Sequence, residues 1–182
     1  ENAQSKVEGF NFEIRKSLVE YDDVMNRQRE IIYEMRNNAL NKNHEYKSWK
    51  EEISKNLMDF FENLKLNSDP KKFSNDINQL LLIEENNFEN EDSINKLIKE
   101  RLEFFENKFG EEKLSSSISG LLMRSIDLLW VEHLTTMDNM RQGIGLQAAG
   151  QRDPLIQYKK TGFELFENLL NRINRDVSIN LL

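Results

Sequence analysis

The chain has 182 residues, of which 38% are hydrophobic and 31% are charged, and it contains no cysteine. A chain of this length can bury a substantial core, and this mixture of residues is typical of a soluble, helix-rich protein. The lack of cysteine excludes disulfides and thiolate metal sites, and no apolar run approaches the roughly 20 residues that a membrane-spanning helix needs.

The net charge of −7 is concentrated in the middle of the chain. Residues 44–112 contain ten basic and seventeen acidic side chains, whereas the segments on either side are nearly balanced. An acidic surface repels phosphate groups, so this pattern argues against nucleic acid as a partner. It is typical of a solvated acidic face.

The first 43 residues are dominated by one long amphipathic helix, predicted over about residues 3–40. Its stripe has the helical period, with two polar breaks at Ser17 and Gln28. Such a helix would be about 55 Å long, at ~1.5 Å per residue, and needs a partner that covers its stripe. The stripe consists of Val7, Phe10, Ile14, Ser17, Tyr21, Val24, Gln28, Ile31, Met35 and Leu40.

Residues 44–112 predict a small helical subdomain inserted between longer helices. A break at residues 41–43 precedes it, turn residues occupy 67–70, and a polar loop covers 84–92. Three short amphipathic helices are expected between the break, the turn and the loop. Their apolar positions are Trp49, Ile53, Leu57, Phe60 and Leu64, then Phe73, Ile77, Leu80 and Leu81, then Ile94, Leu97, Ile98, Leu102, Phe105 and Phe109.

Residues 113–182 predict an antiparallel helical hairpin. Its first helix runs over about residues 114–141, its tip covers residues 143–152, and Asp153 and Pro154 are a good N-cap and first residue for the returning helix. With the first long helix, the hairpin makes a three-helix core in an all-α fold. The two stripes are Ile118, Leu121, Leu122, Ile126, Leu129, His133, Met137 and Met140, then Ile156, Phe163, Phe166, Leu170, Ile173 and Val177.

The hairpin core is expected to contain Trp130, His133, Met137, Phe163 and Phe166. Trp130 and His133 lie three residues apart on one helix, which indicates a packed Trp beside a hydrogen-bonded His. Truncation of Phe163 or Trp130 to Ala should then cost several kcal/mol, as it does for other core aromatics (about 3–5 kcal/mol).

The tip resembles a phosphate-binding loop only superficially. From Gly145 it reads G-x-x-x-x-G, but Gln151 and Arg152 follow where Lys and Ser/Thr are needed, and a helix precedes the glycines instead of a strand. In the tip, Gln147, Gln151 and Arg152 could instead hydrogen-bond to any polypeptide backbone, while Ala148, Ala149 and Gly150 leave the tip's own backbone exposed and adaptable. A plain helix–helix turn remains the alternative.

No catalytic or metal-binding constellation is apparent in the sequence. The only histidines, His44 and His133, are far apart, and Asp22 and Asp23 have no second acidic cluster, so ion pairing is their expected role. We therefore expect no enzyme activity, no metal site and no cofactor in this chain.

Three long, collinear blocks resemble the SecA family of preprotein translocase motors. They are FEIRKSLVEYDDVMNRQR at residues 12–29, DLLWVEHLTTMD followed by MRQGI at 127–138 and 140–144, and GQRDPLIQYK followed by GFELF at 150–159 and 162–166. In residues 44–112 the resemblance rests on position and helical character alone.

The resemblance implies a division into three parts. Residues 1–43 would be the long helix of the helical scaffold domain, residues 44–112 the helical wing domain, and residues 113–182 the two-helix finger. The tip would contact the translocating preprotein at the SecY channel. The family commonly has an aromatic residue, usually Tyr, where this chain has Ala149, so the tip contact would be less aromatic here.

The resemblance also implies that this segment works inside a larger protein. The nucleotide-binding domains, which hold ATP and Mg²⁺, would precede Glu1, so the segment itself would neither bind nor hydrolyse ATP. The family's C-terminal Cys/His zinc tail, used for docking the SecB chaperone and lipid, would lie outside residues 1–182. Its implied partners are the SecY channel, unfolded preprotein, its own nucleotide-binding and preprotein-crosslinking domains, an anionic membrane surface and a second copy in a homodimer.

The implied location is the cytoplasm, peripheral to the inner face of the plasma membrane. A helical adaptor or coiled-coil scaffold that binds another protein, without any link to transport, is the alternative from a different functional class.

Overall fold

The computed structural model describes residues 2–40, 46–66, 69–80, 91–147 and 153–181. These residues form six α-helices and no strand, which confirms the all-α prediction. The helices are α1 (Asn2–Leu40), α2 (Tyr46–Leu66), α3 (Pro70–Leu80), α4 (Glu91–Phe109), α5 (Glu111–Gln147) and α6 (Pro154–Leu181). Among the described residues, none of these helices is both long and apolar enough to cross a membrane.

The predicted helices are confirmed, and one boundary is corrected: the end of the first hairpin helix, α5. Helix α5 continues six residues beyond the predicted end at Arg141 and finishes at Gln147. Gly143 and Gly145 therefore belong to the helix, although glycine costs about 1 kcal/mol relative to alanine in a helix interior. The connection to α6 is residues 148–153, a normal length for two antiparallel helices.

Helix boundaries follow local capping chemistry. The Asp69 carboxylate accepts from the Lys72 backbone N–H at 3.0 Å, and the Asp153 carboxylate accepts from the Leu155 backbone N–H at 2.9 Å. Both are side-chain N-caps, as the sequence predicted for Asp153. Between α4 and α5, Gly110 has a φ of 79°, a left-handed conformation that glycine adopts without steric cost.

The chain divides into two compact units. One contains residues 1–35 and 128–170, and the other contains residues 36–127 and 171–182. Three helices, α1, α5 and α6, each contribute to both units, whereas α2, α3 and α4 lie within the second. The three-part division expected from the sequence remains a prediction.

The second unit has an apolar core. Helix α2 contacts both α3 and α4, and ion pairs join Lys50 to Glu106 at 2.7 Å and Arg36 to Asp127. The Ser125 hydroxyl donates to Asp176, which joins α5 to α6. Its largest fully buried side chains are Phe61, Leu57, Ile77, Ile94, Ile98, Leu102, Ile118, Ile126 and Ile173.

In the first unit, the buried positions differ in part from the predicted stripes. On α1 the buried side chains include Gln28 and Ile32, whereas Val7, Phe10 and Ile31, which the prediction placed in the stripe, are exposed. The helical period carries the buried face from Gln28 to Ile32, four residues on, so Ile31 turns outward. Leu40, the last predicted position and part of the second unit, is also exposed.

The start of the α6 stripe was also predicted on the wrong face. Ile156 and Phe163 are 66% and 61% exposed, so the placement of Phe163 in the hairpin core is wrong. Tyr158 and Gly162 face inward instead, in phase with the buried Phe166. The residues that do face inward along α6 follow spacings of three and four through Leu169, Ile173 and Val177.

The two phenylalanines of α6 give a matched test of this face assignment. Phe166→Ala should lower the free energy of unfolding by about 3–5 kcal/mol, because Phe166 is 6% exposed. Phe163→Ala should lower it by less than about 1 kcal/mol, since that ring already contacts solvent. Urea melts followed by circular dichroism measure both. Equal losses would mean that α6 is rotated relative to this description.

Candidate functional site

The sequence predicts a binding role for the end of the hairpin, at residues 147–152. Residues 148–152, which include the predicted tip residues Ala148, Ala149, Gly150, Gln151 and Arg152, lie outside the described part of the chain. Gln147 ends α5 and Pro154 begins α6. The described part of this end is therefore the helical stem that carries the tip.

An aromatic and ionic cluster joins the stem to α1. The Tyr21 and Tyr158 rings meet edge to face, with centroids 4.8 Å apart, and the Arg141 guanidinium lies 5.5 Å from the Tyr21 ring centre. Arg141 also pairs with Asp22 at 3.1 Å, which agrees with the expected ion-pairing role of that carboxylate. A partly exposed ion pair of this kind contributes at most about 1 kcal/mol, so its main effect is on geometry.

A small apolar cluster lies beside these contacts. Its buried members are Met137, Ile144 and Tyr158, and the partly buried side chains that pack against it come from all three helices: Tyr21, Val24, Met25, Met140 and Leu165. Burial raises the pKa of Tyr158, with a smaller opposing effect from Arg141, so its hydroxyl stays protonated at neutral pH. The predicted burial of Met137 is confirmed.

Gln28 links α1 to both helices of the hairpin. Its Nε2 amide donates to the Gly162 carbonyl oxygen at 3.0 Å, and its Oε1 lies 2.9 Å from His133 Nε2. Both Gln28 and His133 are 6% exposed. Because the amide nitrogen is used on Gly162, Oε1 must accept, and His133 must therefore carry its proton on Nε2.

Aromatic rings enclose the His133 imidazole. The Trp130 ring stacks on it with centroids 5.5 Å apart, and the Phe166 ring lies 5.8 Å away. The predicted Trp–His packing is thus confirmed, although Trp130 itself is only partly buried. Burial lowers the pKa of His133 below its ordinary value of 6.5, because the charged imidazolium would lose its hydration.

At Gly162, α6 lies close to both of the other helices. A Cβ built on Gly162 would lie 2.9 Å from Met137 Cε and 3.6 Å from Val24 Cγ1. The absence of a side chain lets the Gly162 carbonyl come within reach of Gln28 while remaining in a helix. We call Gln28, His133 and Gly162 the junction.

The junction has the properties of a structural joint between helices. No group of three or more His, Asp or Glu side chains that could hold a metal occurs within the described ranges. The arrangement can fix three helices relative to one another.

Sequence reasoning found His133 but missed its partners. Gln28 looked like a polar interruption of an apolar stripe, and Gly162 was not recognised as part of the α6 face. The available signal was phase: a polar residue in the buried phase of α1, and a glycine four residues from both Tyr158 and Phe166.

His133 should make stability depend on pH. The folded-state pKa is lowered, so the unfolded state takes up the proton first as the pH falls. This contribution is complete above about pH 6.5 and is lost progressively below it. The difference in unfolding free energy between the wild type and His133→Gln should therefore shrink from pH 7.5 to pH 5.5. A constant difference would show that the imidazole is not buried in its neutral form.

Two helical glycines test the close approach at the junction. Gly162→Leu should lower the free energy of unfolding by about 1–3 kcal/mol, because the new side chain overpacks the contact with Met137. Gly120→Leu is the control: a Cβ there meets nothing within 4 Å, so better helix propensity should raise stability by up to about 1 kcal/mol. Denaturant melts compare them, and a gain at both sites would contradict the contact.

A family model and several known proteins match this chain over its whole length. The family model described as the SecA wing and scaffold domain covers residues 1–182. The chain is 39% identical to the protein translocase subunit SecA of Syntrophobacter fumaroxidans and 39% identical to that of Halothermothrix orenii, with all of this chain covered and 24% and 23% of the relatives. The same subunit of Pelagibacter ubique is 36% identical, again with all of this chain covered and 23% of the relative.

The family match and these relatives agree with the resemblance that the three sequence blocks carry. The chain spans about a quarter of the length of the curated relatives it matches. The chain belongs to the SecA family, as its wing and scaffold domain.

Proposed function

We propose that this chain couples the movement of a SecA-type motor to a preprotein that crosses the SecY channel. The observation that carries the proposal is the junction, where one buried amide joins α1 to both helices of the hairpin. A displacement of α1 would then move the hairpin as a body, since packed helices shift between discrete arrangements and do not deform continuously.

The first half of α1 offers a surface for the rest of the parent protein. Five large apolar side chains between residues 7 and 19 are 45–63% exposed. Exposed apolar surface of this kind marks sites of interaction with other proteins. They are Val7, Phe10, Phe12, Leu18 and Val19. This exposure supports docking of the parent's nucleotide-binding and preprotein-crosslinking domains along α1.

The hairpin of α5 and α6 would act as the two-helix finger, with residues 147–152 touching the preprotein. The proposed division is residues 1–43 and 113–182 for the scaffold and finger, and residues 44–112 for the wing. In this proposal ATP and Mg²⁺ are held by the motor domains of the parent protein, and this segment contributes no residue to the chemistry.

The proposed setting follows from the same role. The parent would work in the cytoplasm, peripheral to the inner face of the plasma membrane, with anionic lipid and a second SecA copy as further contacts. A transport-unrelated helical adaptor remains the second candidate. It is favoured by the ordinary length of the connection between α5 and α6, which a plain helix–helix turn would also have.

Replacement of the tip distinguishes the two candidates. In the translocase subunit that contains this chain, residues 147–152 are exchanged for a Gly/Ser segment of equal length. We expect preprotein transport into SecY-containing vesicles to fall at least about tenfold, while ATP hydrolysis without preprotein continues, because the motor is intact and only the substrate contact is lost.

Ala149→Tyr is the matched variant at the same place. It restores the aromatic residue that is common in the family, and it should maintain or increase transport. Unchanged transport after the Gly/Ser exchange would contradict the finger role and favour the adaptor.

A further inference from the structure

The apolar contacts around the hairpin stem do not by themselves define how far α1 is advanced along α5 and α6. Three of the side chains there are methionines, Met25, Met137 and Met140. Methionine is unbranched and adapts to irregular spaces, so it packs acceptably in more than one position. A displacement of α1 by one helical turn would therefore keep much of the apolar contact.

The buried amide is less tolerant of such a displacement. Gln28 satisfies the Gly162 carbonyl and the His133 N–H at the same time, with directional hydrogen bonds. One turn away on α1 stand Val24 and Ile32, and the positions at three residues are Met25 and Ile31. Val24, Ile31 and Ile32 have no polar atom to pair with His133, and the Met25 thioether is only a weak acceptor.

We propose that Gln28 is a register key that allows one axial position of α1 against the hairpin. In a displaced position, the His133 N–H would stay buried without a partner, which is unfavourable because it has lost its hydration. Single buried polar residues fix the register of coiled coils in the same way. The inference deepens the proposed function, because a helix that cannot slip passes its whole displacement to the finger.

Gly162 contributes the geometry that makes the key selective. Its carbonyl is accessible because no side chain stands between α6 and Gln28, and a Cβ there would already crowd Met137. The neighbouring turns of α6 carry Tyr158 and Phe166, whose rings would block the same approach. The amide on α1 and the gap on α6 therefore match at one register.

Distances between spin labels measure the register directly. The chain has no cysteine, so Glu34→Cys on α1 and Glu167→Cys on α6 introduce two labelling sites at exposed positions of the same unit. The chain with Gln28 intact should give one narrow distance distribution. Gln142→Met is the control, because Gln142 is exposed and its side chain pairs within α5, with Asp138 at 2.9 Å.

Two variants test the key. The double variant Gln28→Met/His133→Leu removes the Gln28 amide and the His133 imidazole. It should give a second population in which α1 is displaced along its axis by about one turn, or ~5.4 Å. The double variant Gln28→Ile/Ile32→Gln moves the amide by one turn along α1. It should give a single population in which α1 is displaced along the hairpin by one turn. Circular dichroism reports whether each variant keeps its helices.

Each outcome decides the matter. A single unchanged distance in both variants would overturn the proposal and assign the register to the packing at Gly162. Loss of the helical fold in both would also overturn it, since the network would then be required for folding as such. The distance measurement does not depend on transport, so the register and the finger role are tested separately. If the variants displace the register but the exchange of residues 147–152 leaves transport normal, only the finger role is refuted.

Discussion

The buried amide of Gln28 is the interaction on which the rest of the first unit depends. Through this one buried side chain, α1 hydrogen-bonds to both the backbone of α6 and a side chain of α5. The apolar and ionic contacts nearer the hairpin end, such as Tyr21 with Tyr158 and Asp22 with Arg141, are adaptable or partly exposed. They add contact area, whereas the amide sets which residues face one another.

The distribution of exposure along α1 fits a helix that serves two sets of partners. Between Tyr21 and Gln28 it packs against the hairpin, whereas large apolar side chains between Val7 and Val19 are exposed to solvent. Such a surface is unfavourable in an isolated chain, and the proposed docking of other SecA domains along α1 would cover it.

The helices were predictable from sequence because each has a clear period and clear stops. The N-cap predicted at Asp153 is present, and Asp69, one of the predicted turn residues, caps α3. The buried face was less predictable. Phe163 was assigned to the core by its hydrophobicity, although the face passes through Gly162, which has no side chain to signal its position.

The end of α5 was missed for a related reason. Gly143 and Gly145 suggest a break, but α5 runs through both of them to Gln147. Both glycines are helical although their local propensity disfavours a helix. Gln28 was misjudged because its partners lie 105 and 134 residues away in the sequence, so a polar residue in the buried phase of α1 looked like a break in the stripe.

A double-mutant cycle between Gln28 and His133 tests the junction most directly. Gln28→Met, His133→Leu and their combination are compared by urea denaturation at pH 7.5. Each single change leaves a buried partner unsatisfied, so the losses should not add, and the coupling energy should lie at about 0.5–3 kcal/mol. The double variant should be more stable than the sum of the two single losses allows. Strict additivity would contradict the account, because Gln28 and His133 would then not act through one another.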